Sequence, residues 1–259
     1  MKIVVAYKWS ADPADAGVTP DGTVDWTRAA PTLSVDDPVA IEVGRRLADA
    51  VGADLVGISV GGPEAATPMA RKAALARGLD RVLIASDAPL AGLGATETAF
   101  ALAALVRRLG DVDLILTGAA AVDTGAGLVP FVLAGELGWA ALAGVRSVER
   151  GGGGWRVERT SDAGVQLLDV SGPAVLAVAA DAVAPRVPGM RDLLAAAKLP
   201  SEVVAAADLD LPDLASTVVR VGGVRPQLPV RKGVRLTGDA AAAGLVAALR
   251  ADGVLGSGA

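Results

Sequence analysis

Residues 2–7, Lys2-Ile3-Val4-Val5-Ala6-Tyr7, form a short apolar run close to the start of the chain. Because the apolar residues follow one another without alternating polar ones, the run predicts a strand that is buried on both faces. Three later runs have the same character, and the four predicted strands are Lys2–Tyr7, Leu55–Ser59, Arg81–Ala85 and Leu114–Gly118. Such strands are typical of a parallel sheet covered by helices on both sides.

Helical patterns occupy the intervals between these strands. They are predicted over Pro38–Val51, Glu64–Arg77 and Ala95–Leu109. The alternation of strand and helix favours an α/β fold with right-handed crossovers. In an open sheet of this type ligands bind beyond the carboxyl ends of the strands. The loops after Tyr7, Ser59 and Gly118 are therefore the first places to look for a site.

The middle and the end of the chain differ from the first half. Runs joined by Gly-rich turns predict an antiparallel extension and one more buried strand, at Val145–Glu149, Trp155–Arg159, Val165–Val170 and Ala174–Ala180. Beyond Pro185 prolines interrupt a segment with little periodicity, which ends in a helix predicted at Asp239–Arg250. We expect an α/β domain over residues 1–185. We expect residues 186–259 to form an arm that has little core of its own and lies across another surface.

The 259 residues include no histidine and no cysteine. The first absence removes the most common general base and metal ligand, and the second removes disulfides, thiolate nucleophiles and thiolate metal sites. Ser-His-Asp and Cys-His machinery is therefore excluded. Any chemistry must come from a bound cofactor or from carboxylates and lysines.

The net charge of −5 argues against non-specific binding to nucleic acids. The first residues lack the long apolar core of a signal peptide. The most apolar runs, such as Ala174–Ala180, are much shorter than the ~20 residues that span a bilayer. We expect a cytoplasmic protein without membrane insertion and without nucleic acid partners.

The loop after the fourth predicted strand is the first candidate for a ligand site. It contains Gly118-Ala119-Ala120-Ala121-Val122-Asp123-Thr124-Gly125-Ala126-Gly127, whose small residues let backbone N–H groups approach a phosphate. An ordinary strand-to-helix connection, capped by Asp123 or Thr124, explains the same residues equally well. The chain has no G-x-x-x-x-G-K-[ST] motif, and no G-x-G-x-x-G follows the first strand. P-loop and dinucleotide-binding fingerprints are thus absent.

Several charged residues lie next to predicted strand ends or turns. The acids of Asp36-Asp37-Pro38 could bind a metal, but the pattern favours a helix start with Asp37 as N-cap. Lys8 either meets a phosphate or is a surface lysine. Arg186 and Arg191 flank Pro188-Gly189-Met190, which forms either a contact loop or a solvated turn.

Five stretches, in this order and with suitable intervals, make the chain resemble the beta subunit of electron transfer flavoproteins. They are residues 2–8 (KIVVAYK), 34–38 (SVDDP) with the following helix, 71–81 (RKAALARGLDR), 113–118 (DLILTG) continued through Asp123, and 173–176 (PAVL) followed by Pro185-Arg186 and Lys198. The resemblance covers nearly the whole chain and rests on the ordered set of stretches.

This resemblance implies a Rossmann-like parallel sheet, similar to adenine nucleotide alpha hydrolases, with a small antiparallel extension. It also implies a C-terminal arm that wraps over a larger alpha subunit in a heterodimer. Such a protein is an electron carrier and not an enzyme. FAD shared with the alpha subunit takes electrons from acyl-CoA or other flavin dehydrogenases and passes them to a quinone reductase or another acceptor. The segment matching Pro188–Leu194 recognises dehydrogenases in that family, with Met190 as an apolar anchor here.

The resemblance further implies that this chain binds AMP or, as in some relatives, a second FAD. The matching positions are Ala6, Asp37, Pro38, Val39, Ala40, Gly61, Gly118, Ala119, Ala120, Ala121, Val122, Asp123, Thr124, Gly125, Ala126, Gly127, Leu128 and Val129. Two positions depart from the family pattern. Asp37 replaces the usual asparagine, which adds a negative charge near the phosphate. Leu128-Val129-Pro130 replaces Gln-Thr-Gly, which removes side-chain donors to the phosphate.

Two other hypotheses remain open from the residues. A stand-alone adenine-nucleotide-binding protein resembling universal stress proteins suits the early strand-helix alternation, but it leaves the long C-terminal segment unexplained. A hydrolase or ligase that acts through Asp123, Asp36 or Lys8 would have no phosphate-activating motif to assist these residues.

Overall fold

The computed structural model describes residues 1–19, 23–212 and 233–255, and its largest element is a nine-stranded sheet. The strands are β1 (Lys2–Ala6), β2 (Trp9–Ala11), β3 (Gly17–Val18), β4 (Val24–Asp25), β5 (Pro31–Leu33), β6 (Asp54–Gly61), β7 (Arg81–Ser86), β8 (Leu114–Thr117), β9 (Ala140–Gly151), β10 (Gly154–Ser161), β11 (Gly164–Ser171), β12 (Ala174–Val178) and β13 (Ser201–Val204). The helices are α1 (Asp37–Val51), α2 (Pro68–Leu75), α3 (Ala95–Leu109), α4 (Val129–Leu137), α5 (Met190–Ala196) and α6 (Ala241–Ala251).

The order of strands in the main sheet is β11-β10-β9-β12-β8-β1-β6-β7-β13. Strand β1 lies inside the sheet and pairs in parallel with both β6 and β8. The parallel pairing continues through β7 to β13 on one side and through β12 to β9 on the other. Strands β9, β10 and β11 then form an antiparallel edge. Strands β2 with β5 and β3 with β4 make two small antiparallel sheets.

Helices cover both faces of the parallel part. Ile3 and Val5 of β1 belong to a core that includes α1 and α2, whereas Val4 belongs to a core that includes α3 and α4. Helix α1 lies so close to the sheet that a Cβ atom on Gly44 would be 2.9 Å from a methyl carbon of Leu55. A core of small side chains therefore allows close packing of helices on the sheet.

The α/β class and the mostly parallel sheet are confirmed, and the four early strands and the antiparallel extension lie within a few residues of their predicted positions. One predicted helix is wrong in part. The interval 64–77 contains a 3₁₀ turn at Pro63–Ala66 and a separate α2. Thr67 ends the turn in an extended conformation, and its side chain accepts a hydrogen bond from the Ala70 N–H, so a new helix starts there.

The segment that follows Pro185 contributes more to the sheet than its sequence pattern indicates. Helix α5 contacts α2, and β13 extends the sheet by pairing with β7. Val204 is buried in the core, and Leu209 and Leu211 pack against it. This part of the chain therefore has a structural role on the α/β unit.

The chain divides into two compact units, residues 1–219 and 220–259. The second unit, taken by itself, contains α6, which confirms the predicted final helix within two residues at its start and one at its end. Of the predicted arm, residues 213–232 and 256–259 lie outside the described residues. No helix in the described ranges is long and apolar enough to cross a membrane.

Candidate functional site

Three chain segments meet at the carboxyl ends of β1 and β8. Ala6 pairs with Thr117 at the ends of these neighbouring strands, so the chain leaves the sheet side by side at Tyr7 and Gly118. The connection from β5 to α1, residues 34–37, lies against both exits. The candidate site is therefore built from the loop after β1, the start of α1 and the loop between β8 and α4.

Asp37 is the buried centre of this site. Its Oδ2 accepts a hydrogen bond of 2.7 Å from the backbone N–H of Lys8. The pKa of Asp37 is raised from its usual 3.8 to about 7, mainly because the carboxyl is buried and also because of the neighbouring Asp36 charge. The N–H groups of Lys8 and Gly118 act in the opposite direction, because they stabilise the ionised carboxylate.

The prediction that Asp37 is the N-cap of α1 is wrong. Asp37 is the first residue of the helix, and Asp36 occupies the cap position without making a side-chain capping bond. The carboxylate of Asp37 reaches across to Lys8, and Asp36 Oδ2 accepts a contact of 3.4 Å from the Ala120 N–H. Backbone donors at the ends of the strands have therefore replaced the helix's own N–H groups as partners of these acids.

Gly118 allows the close approach between β8 and the two acids. A Cβ atom on Gly118 would lie 2.6 Å from Asp37 Oδ1 and 2.9 Å from Asp36 Cβ. Neither atom can move away easily. The Asp37 carboxylate is held by the Lys8 N–H, and a Cβ atom such as that of Asp36 is attached directly to the backbone. A residue without a side chain is thus required at this strand end for a steric reason.

Two further contacts hold the loop between β8 and α4. The buried Ser34 Oγ accepts a hydrogen bond of 3.1 Å from the Val122 N–H. The Lys8 ammonium donates to both carboxylate oxygens of Asp123, at 2.7 and 2.9 Å. Lys8 is therefore paired with a carboxylate from the opposite loop.

The site predicted from the sequence is assembled in part. The structure brings together Asp37, Gly118, Ala120, Val122 and Asp123. Ala6 lies beside them at the end of β1, and Pro38, Val39 and Ala40 are buried in the first turn of α1.

Other predicted positions lie away from this cluster or lack contacts within it. Gly61 ends β6, and its carbonyl accepts from the Asp87 N–H near the end of β7. Thr124 and Ala126 are exposed, and Gly125 and Gly127 have positive φ values of 61° and 59°. Leu128 occupies the N-cap position of α4, and its side chain makes no capping hydrogen bond.

Ser34 is the residue of this site that the sequence analysis missed. A hydroxyl residue three positions before a helix gives only a weak local signal, because its usual partners are backbone groups nearby. Here the partner is Val122, at a sequence distance that no local pattern reveals. Within the described residues, no group of three or more acidic side chains is arranged to hold a metal ion.

Arg186, for which a contact loop and a solvated turn were both open, anchors the segment before α5. Its Nε donates to Glu42 at 2.7 Å, and its carbonyl accepts from Arg77. Burial acts to raise the pKa of Glu42, but the hydrogen bonds and charges of Arg186 and Arg46 outweigh it and hold that pKa below its usual value. The apolar side chains of Met190 and Leu194 on α5 remain exposed.

The sequence matches the family described as the electron transfer flavoprotein domain over residues 29–209. The match includes more than two thirds of the chain and contains α1, the loop from β8 to α4, and α5. Proteins of this family are electron carriers associated with flavin. The chain therefore belongs to the electron transfer flavoprotein family.

Proposed function

We propose that this chain is the beta-type subunit of a heterodimeric electron transfer flavoprotein. In this role it pairs with a larger alpha subunit, and the two chains hold FAD between them. The flavin takes electrons from an acyl-CoA dehydrogenase or another flavin dehydrogenase and passes them to a quinone reductase or another acceptor. The flavin supplies the redox chemistry, while the protein binds it and presents it to partners.

The observation that carries this proposal is the extent of the family match. It runs from residue 29 to residue 209 and so includes the strand-end site together with the segment around α5. The beta-type assignment is supported by the five ordered stretches of sequence described above. A chain without histidine and cysteine is also consistent with chemistry that depends on a bound flavin.

The exposed part of α5 supports an interaction with redox partners. Met190 is 72% exposed and Leu194 is 65% exposed, although both are apolar. Arg186 fixes the start of this segment to α1 through Glu42. An apolar side chain presented on an anchored segment is suited to insertion into a pocket of another protein.

Co-expression with an alpha subunit from the same genome tests the proposal. We expect a yellow complex with one copy of each chain, whose flavin is reduced when a flavin dehydrogenase and its substrate are added. The absorbance of oxidised and reduced flavin gives both the stoichiometry and the rate. A colourless chain that binds no alpha subunit would contradict the proposal.

The two alternative hypotheses have less support from the geometry. In a stand-alone nucleotide-binding protein the strand-end loop should offer free donors, whereas Asp37, Ser34 and Lys8 already contact it or its neighbours. A hydrolase acting through Asp123 would need that carboxylate to be available, and Lys8 holds both of its oxygens. Nucleotide turnover that is abolished by Asp123→Asn is the result that would restore the hydrolase hypothesis.

A further inference from the structure

Backbone donors at the carboxyl ends of β1 and β8 are occupied by acceptors from the chain itself. The Lys8 N–H donates to Asp37, and the Val122 N–H donates to Ser34. The Ala120 N–H contacts Asp36 at 3.4 Å. Convergent N–H groups of this kind are what a loop needs to bind a phosphate. Here side-chain oxygens already fill that position.

The start of α4, which follows the same loop, offers few alternative donors. The Gly125 N–H donates to the Ala121 carbonyl at 2.7 Å. Helix α4 starts with Val129-Pro130, and proline has no N–H to contribute to the first turn. Leu128, which precedes the helix, has an apolar side chain. The start of α4 is therefore a poor substitute for the occupied first half.

The charges at the site also oppose an anion. Three carboxylates, those of Asp36, Asp37 and Asp123, contact the loops of this site, and the Lys8 ammonium pairs with that of Asp123. Both oxygens of Asp123 are bound to that ammonium, so a phosphate would have to compete with Asp123 for Lys8. A phosphate would meet the carboxyl groups of Asp36 and Asp37 in a partly buried place, where screening by water is weak.

The space at the end of β8 is also restricted, because the Asp37 side chain lies against it. The distance from a hypothetical Gly118 Cβ to Asp37 Oδ1 is only 2.6 Å, which shows that the carboxylate lies directly against the end of β8. Asp37 is itself buried below the surface. A phosphate could approach the end of β8 only after the carboxylate had moved away.

We infer that the strand-end site of this chain binds no nucleotide phosphate, because Asp36, Asp37 and Ser34 take the place of the phosphate and hold the loop between β8 and α4 without a ligand. The AMP predicted from the family resemblance does not fit this arrangement. The Lys8–Asp123 ion pair completes the contacts of the loop. The inference concerns this site only and does not depend on how the flavin is bound.

The nucleotide content of the purified wild-type protein is the first test. The full chain, alone and in complex with an alpha subunit, is denatured with acid, and the released nucleotides are identified and counted by mass spectrometry. We expect FAD from the complex and no stoichiometric AMP, ADP or ATP from either sample. One AMP per copy of this chain would overturn the inference.

Charge-neutral variants provide the second test. In Asp36→Asn/Asp37→Asn each side chain keeps an oxygen that can accept the same N–H group, while neither can carry a negative charge. We expect AMP to bind the wild-type chain more weakly than about 1 mM in calorimetric titration, and to bind the double variant at least roughly 10-fold more tightly. Equal binding by wild type and double variant would contradict the inference.

Asp113→Asn is the matched control. Asp113 also accepts a hydrogen bond from a backbone N–H, that of Lys2 at 2.8 Å, but at the opposite end of β1. This variant should bind AMP as weakly as the wild type does. If the control gains as much affinity as the double variant, the local explanation is wrong.

The two tests separate this inference from the proposed function. If a flavin-containing heterodimer forms and also releases AMP, only the inference is overturned. If the chain binds neither flavin nor an alpha subunit, only the proposed function is contradicted. If the double variant does not fold, the nucleotide content of the wild-type chain still decides the question.

Discussion

Asp37 shows how one buried carboxylate connects two strands and a helix. It is the first residue of α1, and it accepts a hydrogen bond from the backbone N–H of Lys8, the second residue after β1. Burial raises its pKa to about 7, so its folded form holds a proton more strongly than the unfolded chain does. The contribution of Asp37 to the stability of the protein should therefore decrease as pH rises through its pKa.

Replacing Asp37 with asparagine tests this dependence. Between pH 4 and pH 7 Asp37 holds a proton more often in the folded protein than in the unfolded chain, because its pKa is about 7 when folded and 3.8 otherwise. The contribution of Asp37 to the free energy of unfolding should thus fall as pH rises through this range. Relative to Asp37→Asn, the wild type should lose about 3 kcal/mol between pH 5 and pH 8, as measured by urea unfolding.

Ser34→Ala serves as the control for the pH experiment. It removes a buried contact to Val122 in the same loop, but a serine hydroxyl does not titrate in this range. Its effect on stability should be about equal at every pH. If the difference between wild type and Asp37→Asn is also constant, the carboxylate is not responsible.

Gly118→Ala tests the steric requirement at the end of β8. The added Cβ would lie 2.6 Å from Asp37 Oδ1 and must displace that side chain or the strand end. We expect a loss of roughly 1–3 kcal/mol in the free energy of unfolding. Gly135→Ala in α4 is the control, since no atom lies within 4 Å of its Cβ position, and it should be neutral or stabilising by up to about 1 kcal/mol. Similar losses in both variants would exclude the close contact as the cause.

The edge of the sheet at which the candidate site lies was predictable from the sequence, but its internal contacts were not. Parallel strands bring their carboxyl ends to one edge, so the loops after Tyr7, Ser59 and Gly118 were expected there, whereas the pairing of β1 with β8 is seen only in the structure. Local rules assigned Asp37 to its own helix as a cap. The long-range partner Lys8 lies 29 residues away, and no pattern in the sequence reveals such a pair. The side chain's partner is decided by tertiary structure.

At the scale of elements, burial explains which strands the sequence reveals. The buried strands β1 and β8 are continuous apolar runs, and they were predicted within one residue. Strand β13 is a short edge strand in which only Val204 is buried, so its sequence shows neither an apolar run nor a regular alternation. Edge strands with one covered residue carry too little pattern to be recognised.

Val204→Asp tests whether β13 is held by this one side chain. Val204 is 4% exposed in the core, so a carboxylate there would be buried without a partner. We expect a loss of roughly 2–4 kcal/mol and faster hydrogen exchange at Val82, whose N–H donates to the Pro200 carbonyl. Val203→Asp is the control, because this neighbour is 45% exposed. Unchanged protection of Val82 in Val204→Asp would show that β13 is held in another way.

At the scale of the molecule, two exposed apolar surfaces among the described residues of the first unit can be compared. One is α5, which contacts α2, with Met190 and Leu194 exposed. The other is β11, the antiparallel edge of the sheet, where Val165 and Leu167 are exposed. Under the proposed function only α5 is expected to meet dehydrogenases. Met190 on α5 and Leu167 on β11 are both apolar and similarly exposed, so substitutions at these two positions allow a matched comparison of the two surfaces.

Met190→Ala should slow electron transfer from a flavin dehydrogenase to the heterodimer. Because Met190 is 72% exposed, its truncation should leave folding and flavin content unchanged while it removes an apolar anchor. We expect kcat/KM for flavin reduction to fall about 10-fold, mainly through KM, the size of a modest interface hot spot. Leu167→Ala, which removes an apolar side chain that is 65% exposed on β11, should keep the wild-type rate. If Leu167→Ala slows the reaction and Met190→Ala does not, the dehydrogenase binds at the β11 edge and the role proposed for α5 is wrong.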